Sequence, residues 1–249
     1  MNATPLAPLR IAMWSGPRNI STAMMRAWEN REDTVVVDEP FYACYLHETG
    51  VDHPGRDEVL AAQSTNRTEV ATWLAGPVPG GAAIWYQKHM TQHIPADMPL
   101  QWLDALTHCF LIRSPDAVVA SFTQNRPDAA AWELGFEQQA RLFEHVCDRF
   151  GTAPPVIDAS DVLADPRGVL SAVCARLGVA FSDRMLRWPP GPRTSDGVWA
   201  PYWYRSVEQS TGFAPRDAAG RPRLTDFQQR LADACRPHYE RLAQSRLRA

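Results

Sequence analysis

The chain has 249 residues, and its 25 basic and 28 acidic side chains give a formal net charge of −3. A hydrophobic fraction of 45% with 21% charged residues is typical of a folded globular protein and excludes a disordered chain. The mild acidity argues against a nucleic-acid binder, which would carry a basic stripe. Lys88 is the single lysine, so every other member of the basic group is an arginine.

The N-terminus and the cysteines bear on the compartment. Residues 1–9 lack the charged start and apolar stretch of a signal peptide, and no run of about 18 apolar residues predicts a membrane span. The five cysteines are widely spaced and form no CxxC pair, which indicates reduced thiols without a disulfide or a zinc site. We therefore predict a cytoplasmic protein that binds neither membrane nor nucleic acid.

Short apolar runs alternate with amphipathic stretches along most of the chain. The apolar runs predict strands over residues 9–14, 34–38, 83–87, 107–112 and 155–157. Helical spacing and end signals predict helices over residues 21–29, 56–75, 134–150 and 166–177, and one that begins at Pro115. This alternation predicts an α/β fold with a mainly parallel central sheet and helices on both faces. In such sheets ligands bind at the carboxyl edge of the strands.

The last part of the chain has a different composition. Residues 188–204 are dense in proline and aromatic residues, which predicts a long ordered loop, about 188–215, that wraps the site. A C-terminal helix is predicted near 224–243, and no linker splits the chain, so we predict a single domain over residues 1–249. The aromatic side chains of this loop are predicted to form an acceptor pocket, a stacking surface for adenine or a hydrophobic lid. These residues are Trp188, Trp199, Tyr202, Trp203 and Tyr204.

The first candidate site is the strand–loop–helix sequence W-S-G-P-R-N-I-S-T at residues 14–22. A loop that opens a helix exposes backbone N–H groups at the positive helix end, where phosphate or sulfate binds. Arg18 adds a planar cation, and Ser21 and Thr22 add hydroxyl donors. The pattern GxxxxGK[ST] of a Walker A loop is absent. The alternative is an ordinary turn in which Ser21 or Thr22 caps the helix.

The second candidate site is I-R-S-P-D-A-V-V-A-S at residues 112–121. It places Arg113 at the end of a strand and Ser121 two turns along the following helix. Both side chains can point to the same sheet edge as the first loop, which suits a second phosphate. The two sites together predict a ligand with two anionic ends. The alternative is a surface arginine beside an ordinary helical turn.

The two motifs together resemble those of the PAPS-dependent sulfotransferases. P-R-N-I-S-T is similar to their 5′-phosphosulfate loop in its bacterial form P-R-S-G-T-T, and residues 112–121 are similar to their 3′-phosphate motif R-D-P-R-D-V-x-x-S. Ser114 and Asp116 replace Asp and Arg of that motif, while Asn19 and Ile20 replace Ser-Gly, and Ile20 removes the freedom of a glycine. The resemblance implies a P-loop-containing sulfotransferase-like architecture with PAPS as co-substrate. It implies these cofactor-binding residues: Pro17, Arg18, Asn19, Ile20, Ser21, Thr22, Arg113 and Ser121.

Two further stretches extend the resemblance. Residues 193–199, R-T-S-D-G-V-W, are loosely similar to the late family segment R-K-G-x-x-G-x-W but one residue shorter, which adds Arg193 to the implied cofactor-binding residues. A bacterial group of sulfotransferase-like proteins carries W-S-G-P-R-N-I-S-T followed by D-E-P-F-Y, and residues 38–42 complete that match.

Glu39 is the first candidate for the base that accepts the acceptor's proton. It follows the second predicted strand and should emerge at the same edge as Arg18. Its position resembles that of the catalytic glutamate in tyrosylprotein and some bacterial sulfotransferases. The alternative is an acidic turn or a salt-bridge partner. Strand alternation predicts that Asp38 and Glu39 point in opposite directions.

Lys88 and His89 follow the third predicted strand, where cytosolic sulfotransferases carry K-T-H-L-P. The resemblance implies that Lys88 stabilises the transferring group and that His89 is an alternative base. His93 with Ile94 echoes H-L but lies further on. His89 and His93 would be neighbours on a helix and could bind a metal there, but no third ligand is evident, so we predict no metal.

The leading hypothesis is an enzyme that transfers a sulfuryl group from PAPS to a hydroxyl or amine of a small-molecule acceptor. One alternative is a non-catalytic nucleotide- or anion-binding protein on the same fold. Another is a kinase-like phosphotransferase, against which the missing Walker lysine counts.

Overall fold

The computed structural model describes residues 7–214 and 222–248. The strands are β1 (Leu9–Ser15), β2 (Thr34–Asp38), β3 (Ile84–Met90), β4 (Thr107–Ile112) and β5 (Val156–Asp158). The helices are α1 (Ser21–Glu29), α2 (Tyr42–Thr49), α3 (Arg56–Ala62), α4 (Arg67–Ala75), α5 (Pro115–Phe122), α6 (Phe136–Phe150), α7 (Ala159–Ala164), α8 (Pro166–Arg176), α9 (Ala200–Trp203), α10 (Arg205–Glu208) and α11 (Asp226–Ala243). Short 3₁₀ turns cover Pro79–Gly81, Thr91–His93, Gln101–Ala105, Ala131–Leu134 and Asp183–Leu186.

The strands form a five-stranded sheet in the order β2-β3-β1-β4-β5, and every neighbouring pair is parallel. The predicted α/β fold with a parallel central sheet is therefore confirmed. The register places Asp38 of β2 beside Lys88 of β3 at the carboxyl edge. Because all the strands run the same way, the loops that follow them meet at that edge.

Each face of the sheet packs against helices, and strand alternation divides the side chains between the two faces. Ile11 and Met13 of β1 pack on one face with Trp28 of α1. Trp14 packs on the opposite face with Phe143 of α6. These two layers bury both sides of β1, which explains why this strand is a nearly continuous apolar run.

Several element ends differ from prediction for local reasons. The predicted helix over 56–75 is two helices, because the side chain of Asn66 accepts hydrogen bonds from the N–H groups of Thr68 and Glu69 and starts α4. The predicted helix over 134–150 begins later, because Gly135, at φ 71°, separates α6 from the preceding 3₁₀ turn. Helix α2 was not predicted.

The third strand is longer than predicted. It continues past Gln87 to Met90, so Lys88 and His89 are strand residues and not loop residues. Adjacent residues of a strand send their side chains to opposite faces. This extension therefore decides which of the two can reach the site.

The segment after residue 188 is not a continuous loop, because it contains the short helices α9 and α10. The predicted end of that loop at residue 215 lies outside the described residues. The predicted C-terminal helix is α11, which begins with a reciprocal cap between Thr225 and Gln228 and packs against α5 and α6. Within residues 7–214 and 222–248, no helix has both the length and the apolar character to cross a membrane.

Buried histidines are expected to make the fold sensitive to mild acid. Burial lowers the pKa of His89 to about 3 and the pKa of His108 to about 4. The unfolded chain takes up protons at these side chains below about pH 6.5, whereas the folded chain does not. The free energy of unfolding therefore includes the full contribution of the buried neutral histidines above that pH. This contribution is lost as the pH falls towards 4.

We expect the free energy of unfolding, measured by urea titration, to fall between about pH 7.5 and pH 5 by about 2 kcal/mol for each of these histidines. His108→Gln should show a smaller fall than the unmodified chain. Equal free energies of unfolding at the two pH values would contradict the expectation.

Candidate active site

The loop between β1 and α1 has a backbone that explains its sequence. A Cβ atom on Gly16 would lie 2.7 Å from the carbonyl oxygen of Leu134, so only glycine fits there. The left-handed backbone position of the loop is Arg18, at φ 54°, while Ile20 has φ −91°. Ile20 therefore needs no glycine freedom, and its side chain packs against the core on the α1 side.

The two predicted phosphate motifs meet at the carboxyl edge. The Arg18 Nε–H donates to the Ser121 hydroxyl oxygen at 2.9 Å, although the two residues are 103 positions apart. The Arg113 guanidinium donates to the Arg18 carbonyl oxygen. Asn19 ties the loop to β4, because its amide donates to the carbonyl oxygen of Leu111 at 3.1 Å. The two sequence motifs thus form one cluster of cations and hydroxyl groups.

The helix that follows the loop starts without the cap considered above. The cap position of α1 is Ile20, which makes no side-chain cap, so Ser21 and Thr22 are the first two helical residues. The Asn19 side chain accepts a hydrogen bond from the Ile20 N–H at 2.9 Å. The capping alternative for Ser21 and Thr22 is therefore wrong. Both residues lie at the positive end of α1.

Lys88 lies at the centre of a buried polar cluster. Its side chain is 1% exposed, and its Nζ donates to Asp38 Oδ1 at 2.8 Å, Glu39 Oε1 at 2.7 Å and the Tyr204 hydroxyl oxygen at 2.5 Å. Burial by itself would lower the pKa of Lys88. The charges of Asp38 and Glu39 outweigh that effect and hold this pKa well above its usual value. Lys88 is therefore a permanent cation between two carboxylates.

Asp38 and Glu39 do not point in opposite directions, so the prediction from strand alternation is wrong. β2 ends at Asp38, and Glu39 adopts a left-handed backbone with φ 38°. The turn is fixed by its N–H, which donates to the Lys88 carbonyl oxygen at 3.0 Å. Alternation holds only while a chain stays extended, and here both carboxylates reach the same ammonium.

Glu39 is the member of this cluster that reaches a cavity. Its side chain is 12% exposed, whereas that of Asp38 is 2% exposed. Burial raises the pKa of Glu39 above its usual value, and the nearby Lys88 ammonium only partly offsets this effect. A carboxylate with a raised pKa beside a cavity has the properties of a general base.

A cavity of about 80 Å³ lies between Arg18 and Glu39. Among the described residues, Arg18 and Glu39 are the two non-glycine residues with a positive φ. Such strained backbone conformations cluster at functional sites. Two buried polar atoms of the lining, Gln92 Oε1 and His93 Nδ1, have no hydrogen-bond partner in the described part of the chain. The lining residues are Arg18, Glu39, Tyr42, His53, Gln92, His93, Phe122, Asn125, Arg126 and Trp203.

The structure separates His89 from this cluster. Its ring stacks on Trp14 with centroids 4.4 Å apart, on the sheet face opposite Lys88, and its Nε2 lies 3.1 Å from Gln87 Oε1. It is 1% exposed, and burial keeps its pKa near 3. The expected placement of His89 at the site together with Lys88 is therefore wrong. The two are adjacent residues of one strand, so their side chains point to opposite faces of the sheet.

His93 reaches the cavity instead. It stacks against the rings of both Tyr42 and Tyr45, at centroid distances of 4.9 and 4.7 Å. His89 lies in a strand and His93 in a 3₁₀ turn, so the helical spacing that a shared metal would require does not form. Residues 7–214 and 222–248 contain no group of three or more side chains arranged to hold a metal ion.

The segment that contains Arg193 packs beside α1. The Arg193 guanidinium donates to the Pro189 carbonyl oxygen at 3.3 Å, and its N–H donates to Asp196 Oδ2 at 2.8 Å. Asp196 in turn pairs with the buried Arg26 of α1 at 2.7 Å. These contacts hold Arg193 within its own segment and do not bring its guanidinium to Ser121.

Sequence reasoning missed several residues of the site. Tyr204 was noted only as one of many aromatic residues, although its hydroxyl completes the Lys88 cluster. His53 and Arg126 line the cavity but carry no motif that marks them, and Tyr42, the last residue of the D-E-P-F-Y match, was given no role from the sequence. For Tyr204, the available signal was the aromatic density of the 188–204 segment, and composition does not indicate which of these rings points into the protein.

The fold and the site together define a class. A parallel α/β sheet with a strand–loop–helix segment after β1, opposed by an arginine after β4, is a P-loop-like architecture. The family model described as "Sulfotransferase domain" matches residues 9–246, and the chain belongs to this family. The predicted sulfotransferase family is thereby confirmed.

Solved structures show the same fold at low sequence identity. A sulfotransferase from Alicyclobacillus acidocaldarius matches with a TM-score of 0.54 and 13% identity, and covers 98% of each chain. The sulfotransferase domain of the olefin synthase from Synechococcus PCC 7002 matches with a TM-score of 0.52 and 19% identity, over 94% of this chain and 97% of that one. Both likenesses concern the fold.

Two plant proteins are closer in sequence. The branched-chain-amino-acid aminotransferase-like proteins 1 and 2 of Arabidopsis thaliana are 39% identical over 207 residues and 35% identical over 204 residues. The matches cover 83% and 82% of this chain, but 37% and 36% of the plant proteins. The chain thus spans little more than a third of the length of these relatives.

Proposed function

We propose that this protein transfers a sulfuryl group from PAPS to a hydroxyl or amine group of a small-molecule acceptor. The observation that carries the proposal is the hydrogen bond between Arg18 and Ser121, which joins the two phosphate motifs at one edge of the sheet. The resemblance of these motifs to those of the PAPS-dependent enzymes supports PAPS as the ligand. The family of the chain supports the same reaction class.

The donor end of the proposed site is built from the loop, from the start of α1, and from Arg113 and Ser121, which lie before α5 and near its C-terminal end. Arg18 and the N–H groups at the start of α1 would bind the 5′-phosphosulfate, with Ser21 and Thr22 donating hydroxyl hydrogen bonds. Arg113 and Ser121 would bind the 3′-phosphate. The donors at the 5′-phosphosulfate would stabilise the negative charge that develops on the departing phosphate oxygen.

The acceptor end is the cavity beside Glu39. The Glu39 carboxylate would take the proton from the acceptor hydroxyl or amine while the acceptor atom forms its bond to sulfur. The bond between sulfur and the phosphate oxygen breaks, and that oxygen leaves with the electron pair. Lys88 is too buried to reach a ligand, so its role in the proposal is to orient Glu39.

Calorimetric titration with PAP, the desulfated product, tests the donor site. We expect PAP to bind and Arg113→Ala to weaken its affinity by about tenfold or more, because a hydrogen bond to a charged group contributes about 1.5–3 kcal/mol. Arg149→Ala is the matched control, because Arg149 pairs with Asp104 at the far end of α6. Absence of PAP binding, or equal affinities for all three proteins, would overturn the proposal.

One observation favours a second candidate, a nucleotide-binding protein without transfer activity. Lys88 and the Glu39 carboxylate are already paired with each other in a buried cluster, as in a structural salt bridge. This candidate predicts PAP binding without release of PAP from PAPS across a broad panel of hydroxyl and amine acceptors. PAPS turnover with any acceptor in the panel decides for the enzyme.

A further inference from the structure

The Tyr204 hydroxyl is the centre of the hydrogen bonds around Lys88. It accepts from Lys88 Nζ at 2.5 Å and from the Trp199 indole N–H at 3.1 Å, and it donates to Asp38 Oδ2 at 2.6 Å. Burial raises the pKa of Tyr204 well above its usual value, so the hydroxyl keeps its proton and the direction of each bond is fixed. Every hydrogen-bonding position of this oxygen is occupied.

The same segment of the chain closes the cluster at a second point. The Gly197 N–H donates to Asp38 Oδ2 at 3.2 Å, so that oxygen accepts from both Gly197 and Tyr204. A Cβ atom on Gly197 would lie 2.1 Å from the Trp199 ring, so only glycine lets the indole take its place. A segment more than a hundred residues away from β2 and β3 in sequence therefore completes their polar cluster.

We propose that Tyr204 is a positioning residue, whose hydroxyl holds the Lys88 ammonium between the two carboxylates and sets the pH at which Glu39 ionises. The hydroxyl donates directly to Asp38 and shares the ammonium with Glu39. Without it, Asp38 loses a hydrogen-bond donor and competes more strongly with Glu39 for the single ammonium, so Glu39 keeps its proton to a higher pH. The inference rests on the proposed function, in which Glu39 is the base.

The other groups that face Glu39 come from the elements around the cavity. Asp38 and Lys88 reach it from the two strands, and the remaining charged or titratable groups of the lining are Arg18, Tyr42, His53, His93 and Arg126. Burial lowers the pKa of His53 to about 4 and holds that of His93 well below its usual value, so His53 is a second group of the lining that can titrate in acidic solution. The test must therefore separate His53 from Glu39.

The single lysine provides a direct probe. Protein labelled with ¹³C at the lysine Cε gives one lysine signal, which belongs to Lys88 and responds to the charge of the carboxylates bonded to its Nζ. We expect its chemical shift to change in one step with pH in the unmodified chain. The step should be absent in Glu39→Gln and retained in His53→Gln, which assigns it to Glu39.

Tyr204→Phe is the decisive variant, because it keeps the ring that packs 4.8 Å from Nζ and removes only the hydroxyl. We expect the step to move to higher pH by about one unit, as for the loss of one hydrogen bond to a charged group. Tyr202→Phe is the matched control. Its hydroxyl belongs to the same segment but donates to the exposed Glu58, so the step should stay in place.

An unmoved step in Tyr204→Phe would overturn the inference, as would an equal shift in Tyr202→Phe. If Tyr204→Phe does not fold, the unmodified chain still provides a test. An ammonium held by three acceptors should show protons protected from exchange and a visible ¹⁵Nζ–H signal near neutral pH, and an absent signal overturns the inference. Neither NMR measurement requires PAP. A calorimetric titration that shows no PAP binding would therefore overturn the proposed function but would not change what the Lys88 signals say about Tyr204.

Discussion

Replacing Glu39 with glutamine is expected to reduce the rate of sulfuryl transfer by about 10²- to 10⁴-fold, the usual contribution of a general base. The amide has nearly the shape of the carboxylate and still accepts a hydrogen bond from Lys88, but it cannot take a proton. PAP affinity should not change, because Glu39 is assigned to the acceptor end of the site. The measurements are PAP release from PAPS with an acceptor panel and calorimetric titration with PAP.

The pH dependence of transfer provides a second measure of the same role. Glu39 must be ionised to act as a base, and burial raises its pKa above the usual value. Activity should therefore fall as the pH decreases through that raised pKa, at a higher pH than for an exposed glutamate. Glu144→Gln, which removes an exposed carboxylate that pairs with Arg241, is the control and should leave both rate and profile unchanged. Full activity in Glu39→Gln would exclude Glu39 as the base.

Replacing Lys88 with methionine is expected to destabilise the fold by about 3–5 kcal/mol, the range for removing one partner of a buried ion pair. Methionine fills the space of the aliphatic stem but leaves Asp38 and Glu39 buried without a cation. The free energy of unfolding, measured by urea titration, tests this. Arg149→Met, which breaks the exposed pair with Asp104, should cost about 1 kcal/mol or less.

The loss in Lys88→Met should depend on pH with a defined sign. Without the ammonium the two carboxylates bind protons more readily in the folded chain than in the unfolded chain, so acid restores part of the stability. The difference from the unmodified chain should therefore be smaller near pH 5 than near pH 8. The double variant Asp38→Asn with Lys88→Met should recover part of the loss, because one buried charge is removed. A loss below about 1 kcal/mol would show that the cluster does not depend on the cation.

The parts of the fold that were predicted well are those with local signals. α1 covers 21–29 as predicted, because the loop before it and the apolar spacing within it mark both ends. α5 starts at Pro115, where proline has no intrahelical hydrogen bond to lose. Arg113 follows β4 and Ser121 lies in α5 as predicted, because the strand end and the proline-started helix are both marked by adjacent residues.

The parts that were predicted wrongly depend on contacts between distant segments. The prediction that Asp38 and Glu39 point in opposite directions was wrong, because the turn after β2 is made by a hydrogen bond from the Glu39 N–H to the neighbouring strand. His89 was expected at the site, because the predicted strand ended at Gln87. Pairing with β1 instead extends β3 as far as Met90 and turns His89 to the opposite face. The residue at which a strand ends is set by its pairing with the neighbouring strands, so it cannot be predicted from the sequence of that strand alone.

The sequence by itself determined the family, the parallel α/β architecture and the cationic loop, since each depends on residues within one short segment or on the alternation of elements along the chain. Only the tertiary structure decided what the single lysine does. Lys88 is 1% exposed and bound by Asp38, Glu39 and Tyr204, the last of which arrives from more than a hundred residues away. A buried cation is stable only where its partners converge, and that convergence is a property of the folded chain.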